Sequence, residues 1–218
     1  MKYPCLVLDH DETVVQSEAT IGYPCFTLTL SRLRPGQTIT LEEYVQDCHT
    51  MGFVEMCRQR FGFTDPELQE EYRDWQSYVQ DHVPDPFPGI QRIIEKQKEA
   101  GGLLCVVSHS SVKNISRDYQ VHFGIQPDII YGCDLPQHQQ KPAPFPLIDL
   151  MEKYNLKPEE ILVVDDMKLA CQMAKPLHVP IAFAAWGKTE FPEIAREMQE
   201  LCDFTFHSTD QLYRFLFE

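Results

Sequence analysis

Five short apolar runs, each ending in polar residues, punctuate the chain: Cys5–Leu8 before DHDET, Leu103–Val107 before SHSS, Ile129–Tyr131 before GCD, Ile161–Val164 before DDM, and Ile181–Ala185 before WGK. Runs this short and this uninterrupted suit strands covered on both faces, as in a parallel sheet. Between them the apolar residues recur at helical spacing: Ile90–Ala100 closed by Gly101-Gly102, Val112–Phe123 closed by Gly124, and Phe145–Tyr154 with Asn155 just beyond. Strand-helix alternation predicts an α/β fold built on a doubly wound, Rossmann-like parallel sheet.

One interval breaks the rhythm. From Gln16 to about Val83 there is no buried-strand pattern, but helical spacing runs from Leu41 to Phe61 (Leu41, Tyr44, Val45, Cys48, Phe53, Met56, Cys57) and from Pro66 to Val79 (Leu68, Tyr72, Trp75, Val79). The proline-rich DHVPDPFPG then returns the chain to the core pattern. The expected organisation is a core domain from residues 1–15 and 84–218, with residues 16–83 forming a small α-helical cap inserted after the first strand. Placed there, the insert would act as a lid; an unrelated second domain is the alternative.

Composition narrows the classes of partner. The 218 residues carry 33 acidic and 19 basic side chains, a formal net charge of -14, and that field repels phosphate backbones and anionic lipid. Neither nucleic acid nor a membrane is expected, and no run approaches the roughly 18 apolar residues of a membrane span. The eight cysteines fall in no C-x-x-C pair and no zinc spacing, so they read as buried thiols of a reducing compartment, and the chain as cytoplasmic, a monomer or a homodimer.

In a doubly wound sheet, ligands sit outside the carboxyl ends of the strands. The residues expected there are Asp9 and Asp11, Ser108, Asp134, and Asp165 with Asp166; Lys141 follows the third strand in QKPAPFP, whose alternating prolines predict an extended approach to the next helix. Asp9 and Asp11 lie two apart, so on an extended backbone both carboxylates point the same way. Their repulsion raises one pKa or demands a cation. A carboxylate held by Mg²⁺ can attack phosphorus, and a protonated neighbour can serve the leaving oxygen; a plain polar turn is the simpler alternative. Asp165 and Asp166 would bring further carboxylates to the same place, a conflict that a hard cation with oxygen ligands, Mg²⁺ above all, resolves. Asp166 could equally cap a helix. Ser108, with the free N–H groups of the helix opened by SSVKNI, would cradle an anion, His109 could touch substrate, and Lys141 could contact both the nucleophile and phosphoryl oxygens. His10, turned away from the two aspartates by alternation, reads as a core residue.

Taken together, LDHDETVV, VVSHSS, KPAPFP and VVDDM resemble the four motifs of the haloacid dehalogenase-like hydrolases, and the surrounding pattern looks like the phosphoglycolate phosphatase and β-phosphoglucomutase branch. The resemblance covers roughly Lys2–Val15 and Pro84–Phe217, and a helical insertion after the first strand is similar to the family's cap. It implies Asp9 as nucleophile, Asp11 as general acid/base, Ser108 and Lys141 on the transferring phosphoryl group, and Mg²⁺ held by the Asp9 carboxylate, the Asp11 backbone carbonyl and Asp165, with Asp166 nearby. Three departures stand out: Glu12 where the family commonly has glycine, Leu169 where many members have a second acid, and Pro176-Leu177-His178 in place of small residues. The implied activity is a Mg²⁺-dependent phosphatase acting on a small phosphorylated metabolite. A phosphomutase, or a phosphate-binding regulatory module without turnover, would use the same residues.

Overall fold

The computed structural model describes residues 1–218, and they cluster into two compact units, Met1–Val15 with Pro86–Glu218, and Gln16–Asp85. The second unit is helical: α1 (Tyr23–Leu33), α2 (Leu41–Met51), α3 (Phe53–Phe61) and α4 (Asp65–Asp81). The continuous pattern from Leu41 to Phe61 is two helices, because Gly52 takes φ 86°, a conformation that an L side chain resists and that ends α2. Thr40 starts α2 by accepting the Glu43 N–H while the Glu43 carboxylate accepts the Thr40 N–H. Phe26, Tyr44, Phe53, Phe61 and Phe63 pack in tilted and edge-to-face pairs, ring centres 5.5–6.3 Å apart, to form this unit's core.

In the other unit, β1 (Cys5–Leu8), β2 (Leu103–Val107), β3 (Ile129–Tyr131), β4 (Ile161–Asp165), β5 (Ile181–Ala184) and β6 (Phe204–Phe206) form one parallel sheet in the order β3-β2-β1-β4-β5-β6. This is the doubly wound topology, and the order reverses at β1 and β4. Helices α5 (Ile90–Glu99), α6 (Val112–Phe123), α7 (Phe145–Tyr154), α8 (Lys168–Ala174), α9 (Pro192–Leu201) and α10 (Thr209–Phe217) complete the layers. Alternate strand residues Leu6, Leu8, Leu104, Val106, Leu162 and Val164 join Ile90, Ile93, Ile94, Ile115, Tyr119, Leu212 and Leu216 in one buried cluster. The intervening residues Cys5, Val7, Cys105, Ile161, Val163 and Phe183 are also buried, as expected of strands sandwiched between helix layers. No helix is long and apolar enough to cross a membrane.

Register decides what meets at the sheet's carboxyl edge. Leu8 lies opposite Val164 on β4 and Val106 on β2, and the Asp9 N–H donates to the Val164 carbonyl at 2.9 Å. The residues that follow these strands are therefore neighbours at the switch point.

Candidate active site

Lys141 is the hub of that edge. Its buried ammonium lies 2.8 Å from Asp9 Oδ1 and 2.7 Å from Asp165 Oδ2. Burial alone would lower the lysine pKa; Asp165 and Asp9 overcome it and hold the pKa raised, so the side chain stays charged. The segment that carries it runs in turns, with the Ala143 N–H donating to the Gln140 carbonyl at 2.8 Å, where the prolines had predicted an extended path.

The carboxylates crowd together. Asp9, Asp165 and Asp166 are buried, and each offers an oxygen within 4.8 Å of the others'. Burial pushes the Asp9 pKa well up, Lys141 opposes, and Asp165, Asp166 and Asp11 push it further up. Asp165 is also pinned by the Met167 N–H at 2.8 Å. Asp166 Oδ1 is buried without a hydrogen-bond partner. Clustered all-oxygen donors with an unsatisfied carboxylate oxygen fit a hard divalent cation such as Mg²⁺.

Asp11, half-buried, faces two hydroxyls: Ser110 Oγ donates to its Oδ2 at 2.7 Å and Ser108 Oγ at 3.2 Å. Ser108 Oγ in turn accepts the Ser110 N–H at 3.0 Å. The anion cradle expected at the start of α6 is largely taken up by its own capping, since Ser111 Oγ accepts the Asn114 N–H and Asp134 Oδ2 accepts the Val112 N–H. His109 Nε2 lies 2.8 Å from the Lys141 carbonyl; a carbonyl only accepts, so Nε2 carries the proton. Although the residue keeps surface exposure, desolvation of the imidazole, then the Lys141 ammonium, push its pKa down to about 4. His109 thus braces the backbone of Lys141. His10 lies in the core, 3.1 Å from Asp118 and stacked on Tyr119.

The structure brings Asp9, Lys141, Asp165 and Asp166 into one cluster, with Asp11 and Ser108 beside it. Two participants were not evident in the sequence: Ser110, indistinguishable from its neighbours in SHSS, and Lys188, whose ammonium pairs with Asp166 Oδ2 at 2.8 Å. Its signal was only the position of WGK at the end of β5. In the helical unit, Arg32, Arg34, Arg58 and Arg60 are each engaged by carboxylates of the same unit.

The model of the family described as haloacid dehalogenase-like hydrolase matches residues 6–184. Two phosphoglycolate phosphatases are similar over part of their length, that of Pasteurella multocida (strain Pm70) with 34% identity over 85 residues and that of Vibrio vulnificus (strain CMCP6) with 29% over 114. These matches cover 38% and 47% of this chain, and 37% and 49% of those proteins. Among solved structures, a putative haloacid dehalogenase-like hydrolase from Bacteroides fragilis superposes with a TM-score of 0.82 at 22% identity, over 97% of this chain and 100% of that one. CbbY from Rhodobacter sphaeroides, solved in complex with phosphate, gives 0.73 at 20% identity over 96% of each chain.

Proposed function

Because the chain belongs to the haloacid dehalogenase-like hydrolase family, we propose that it is a Mg²⁺-dependent phosphatase that hydrolyses a small-molecule phosphomonoester through an aspartyl-phosphate on Asp9. The observation that carries this reading is the buried cluster in which Lys141 spans Asp9 and Asp165 beside the unpartnered Asp166 Oδ1. The Asp9 carboxylate, the Asp11 backbone carbonyl, Asp165 and Asp166 would hold Mg²⁺, which would supply positive charge against the phosphoryl oxygens. A carboxylate oxygen of Asp9 attacks phosphorus in line with the departing alkoxide, which takes a proton from Asp11. Asp11 then removes a proton from the water that attacks the acyl phosphate, and phosphate leaves with Asp9 regenerated. Lys141 keeps Asp9 oriented and screens the incoming dianion, while the Ser108 and Ser110 hydroxyls hold Asp11 by its Oδ2.

The test is phosphate release from p-nitrophenyl phosphate and a panel of phosphorylated metabolites, with Mg²⁺ and with EDTA. Release is expected only with the metal, with none from Asp9→Asn and roughly 10²–10⁴-fold less from Asp11→Asn. A phosphorylated isomer in place of free phosphate would make the protein a mutase. Silence across the panel at saturating Mg²⁺ would leave a phosphate-binding module and overturn the proposal.

A further inference from the structure

Lys188 stands outside every motif, yet its side chain is 0% exposed and ends 2.8 Å from Asp166 Oδ2. An ammonium so deeply buried is strongly unfavourable without a fixed counter-charge. The loop that carries it is clamped to the segment following Asp11. Trp186 Nε1 donates to the Thr13 carbonyl at 3.1 Å, and Gly187 is pressed so close to Glu12 that a Cβ there would collide with the Glu12 carbonyl oxygen. Lys188 is therefore rigidly aimed at Asp166.

The charge of the cluster shows what it does there. Asp9, Asp165 and Asp166 bring three carboxylates to the cluster against the two ammoniums of Lys141 and Lys188, so acid groups outnumber bases there even before half-buried Asp11 and Glu12 are added. With Oδ2 of Asp166 occupied by Lys188, the unpartnered Oδ1 is the oxygen left for a metal. A fixed ammonium beside that carboxylate also repels an arriving cation.

We propose that Lys188 is the built-in counter-ion of the metal cluster: it holds Asp166 in place and lowers the cluster's affinity for a divalent cation, which keeps binding reversible. This rests on the phosphatase reading only in taking the acidic cluster as a Mg²⁺ site. The experiment is a Mg²⁺ titration of the full chain by calorimetry, with thermal unfolding in parallel, on the parent, Lys188→Met, Lys188→Arg, Asp166→Asn and the double variant Asp166→Asn/Lys188→Met. Lys188→Met is expected to bind Mg²⁺ at least threefold more tightly than the parent and to show a larger Mg²⁺-induced rise in Tm, whereas Lys188→Arg stays at the parent value. The double variant, which removes both charges of the pair, is expected to bind at least threefold more tightly than Asp166→Asn; this comparison decides the matter if Lys188→Met does not fold. Differences under threefold in both comparisons, with the parent binding Mg²⁺, would make Lys188 a core counter-charge uncoupled from the metal and overturn the proposal. A parent that binds no Mg²⁺ would overturn the metal site itself and this proposal with it.

Discussion

At the scale of single residues, Lys141 sets the terms. Two buried carboxylates depend on its one ammonium, so replacing it leaves Asp9 and Asp165 facing each other without compensation. Breaking a buried pair by removing one partner typically costs about 3–5 kcal/mol. Lys141→Met should therefore lower Tm in EDTA and recover part of the loss in Mg²⁺, since a divalent cation replaces the missing charge, while phosphate release disappears. Thermal unfolding with and without the metal checks this; an equal loss in both conditions would separate Lys141 from the cation. Asp9, Lys141 and Asp165 were legible in the sequence because each follows or ends a recognisable strand run. Lys188 was not, because a lysine in a WGK loop looks solvated until its partner from another strand is known. The serines of SHSS carry the same lesson: Ser108 and Ser110 serve Asp11 and Ser111 caps α6, a division of labour set by backbone direction and not by residue type.

At the scale of elements, the sheet was readable because strands buried on both faces leave an unbroken apolar signature. The exception is β6, an edge strand no shorter and no less buried than β3; where β3 reads Ile-Ile-Tyr, β6 has a threonine between its two phenylalanines, which breaks the apolar run. Helix α1 escaped for a different reason. Its FTLTL alternates like a strand and leaves Leu28 60% exposed, but Phe26, Thr29 and Leu30 form a helical stripe that packs inward, and Thr29 Oγ1 donates to Asp74 of α4 at 2.7 Å. The loop after β5 is the element whose fit matters most to the site. Gly187→Ala would drive a Cβ into the backbone of Glu12, itself held at φ 55°, and neither backbone can yield cheaply. A steric insertion of this kind costs typically about 1–3 kcal/mol. The expected result is a lower Tm together with a fall in kcat larger than any change in KM, because the segment that shifts begins one residue after Asp11. Steady-state kinetics beside a thermal melt checks it, and a variant with parent kinetics would show that the loop does not set the position of Asp11.

At the scale of the whole molecule, the two units carry their charge differently. Both units carry surface ion pairs, but the α/β unit also gathers several buried carboxylates around Lys141 and Lys188, whereas the helical unit buries one, Glu71 on α4, at 6% exposure. Burial, and then neighbouring Asp74, raise the Glu71 pKa from 4.5 to about 7, and the thiols of Cys25 and Cys57 and the phenol of Tyr44 are in turn raised partly by Glu71. The sign of the linkage follows. Below pH 4.5 Glu71 is protonated in both folded and unfolded chains and costs nothing. Between 4.5 and about 7 the unfolded chain ionises while the folded one keeps its proton, so stability falls as pH rises, by roughly 3 kcal/mol in total, and it levels off above that range. Glu71→Gln removes this group's contribution: the variant should unfold at higher urea than the parent at pH 8, and the gap should close toward pH 4.5. Urea melts at the two pH values, followed by the fluorescence of Trp75 on the same helix together with Trp186, make the comparison. A gap that does not change with pH would mean that Glu71 is ionised in the folded unit throughout, and that its burial is compensated by the helices around it.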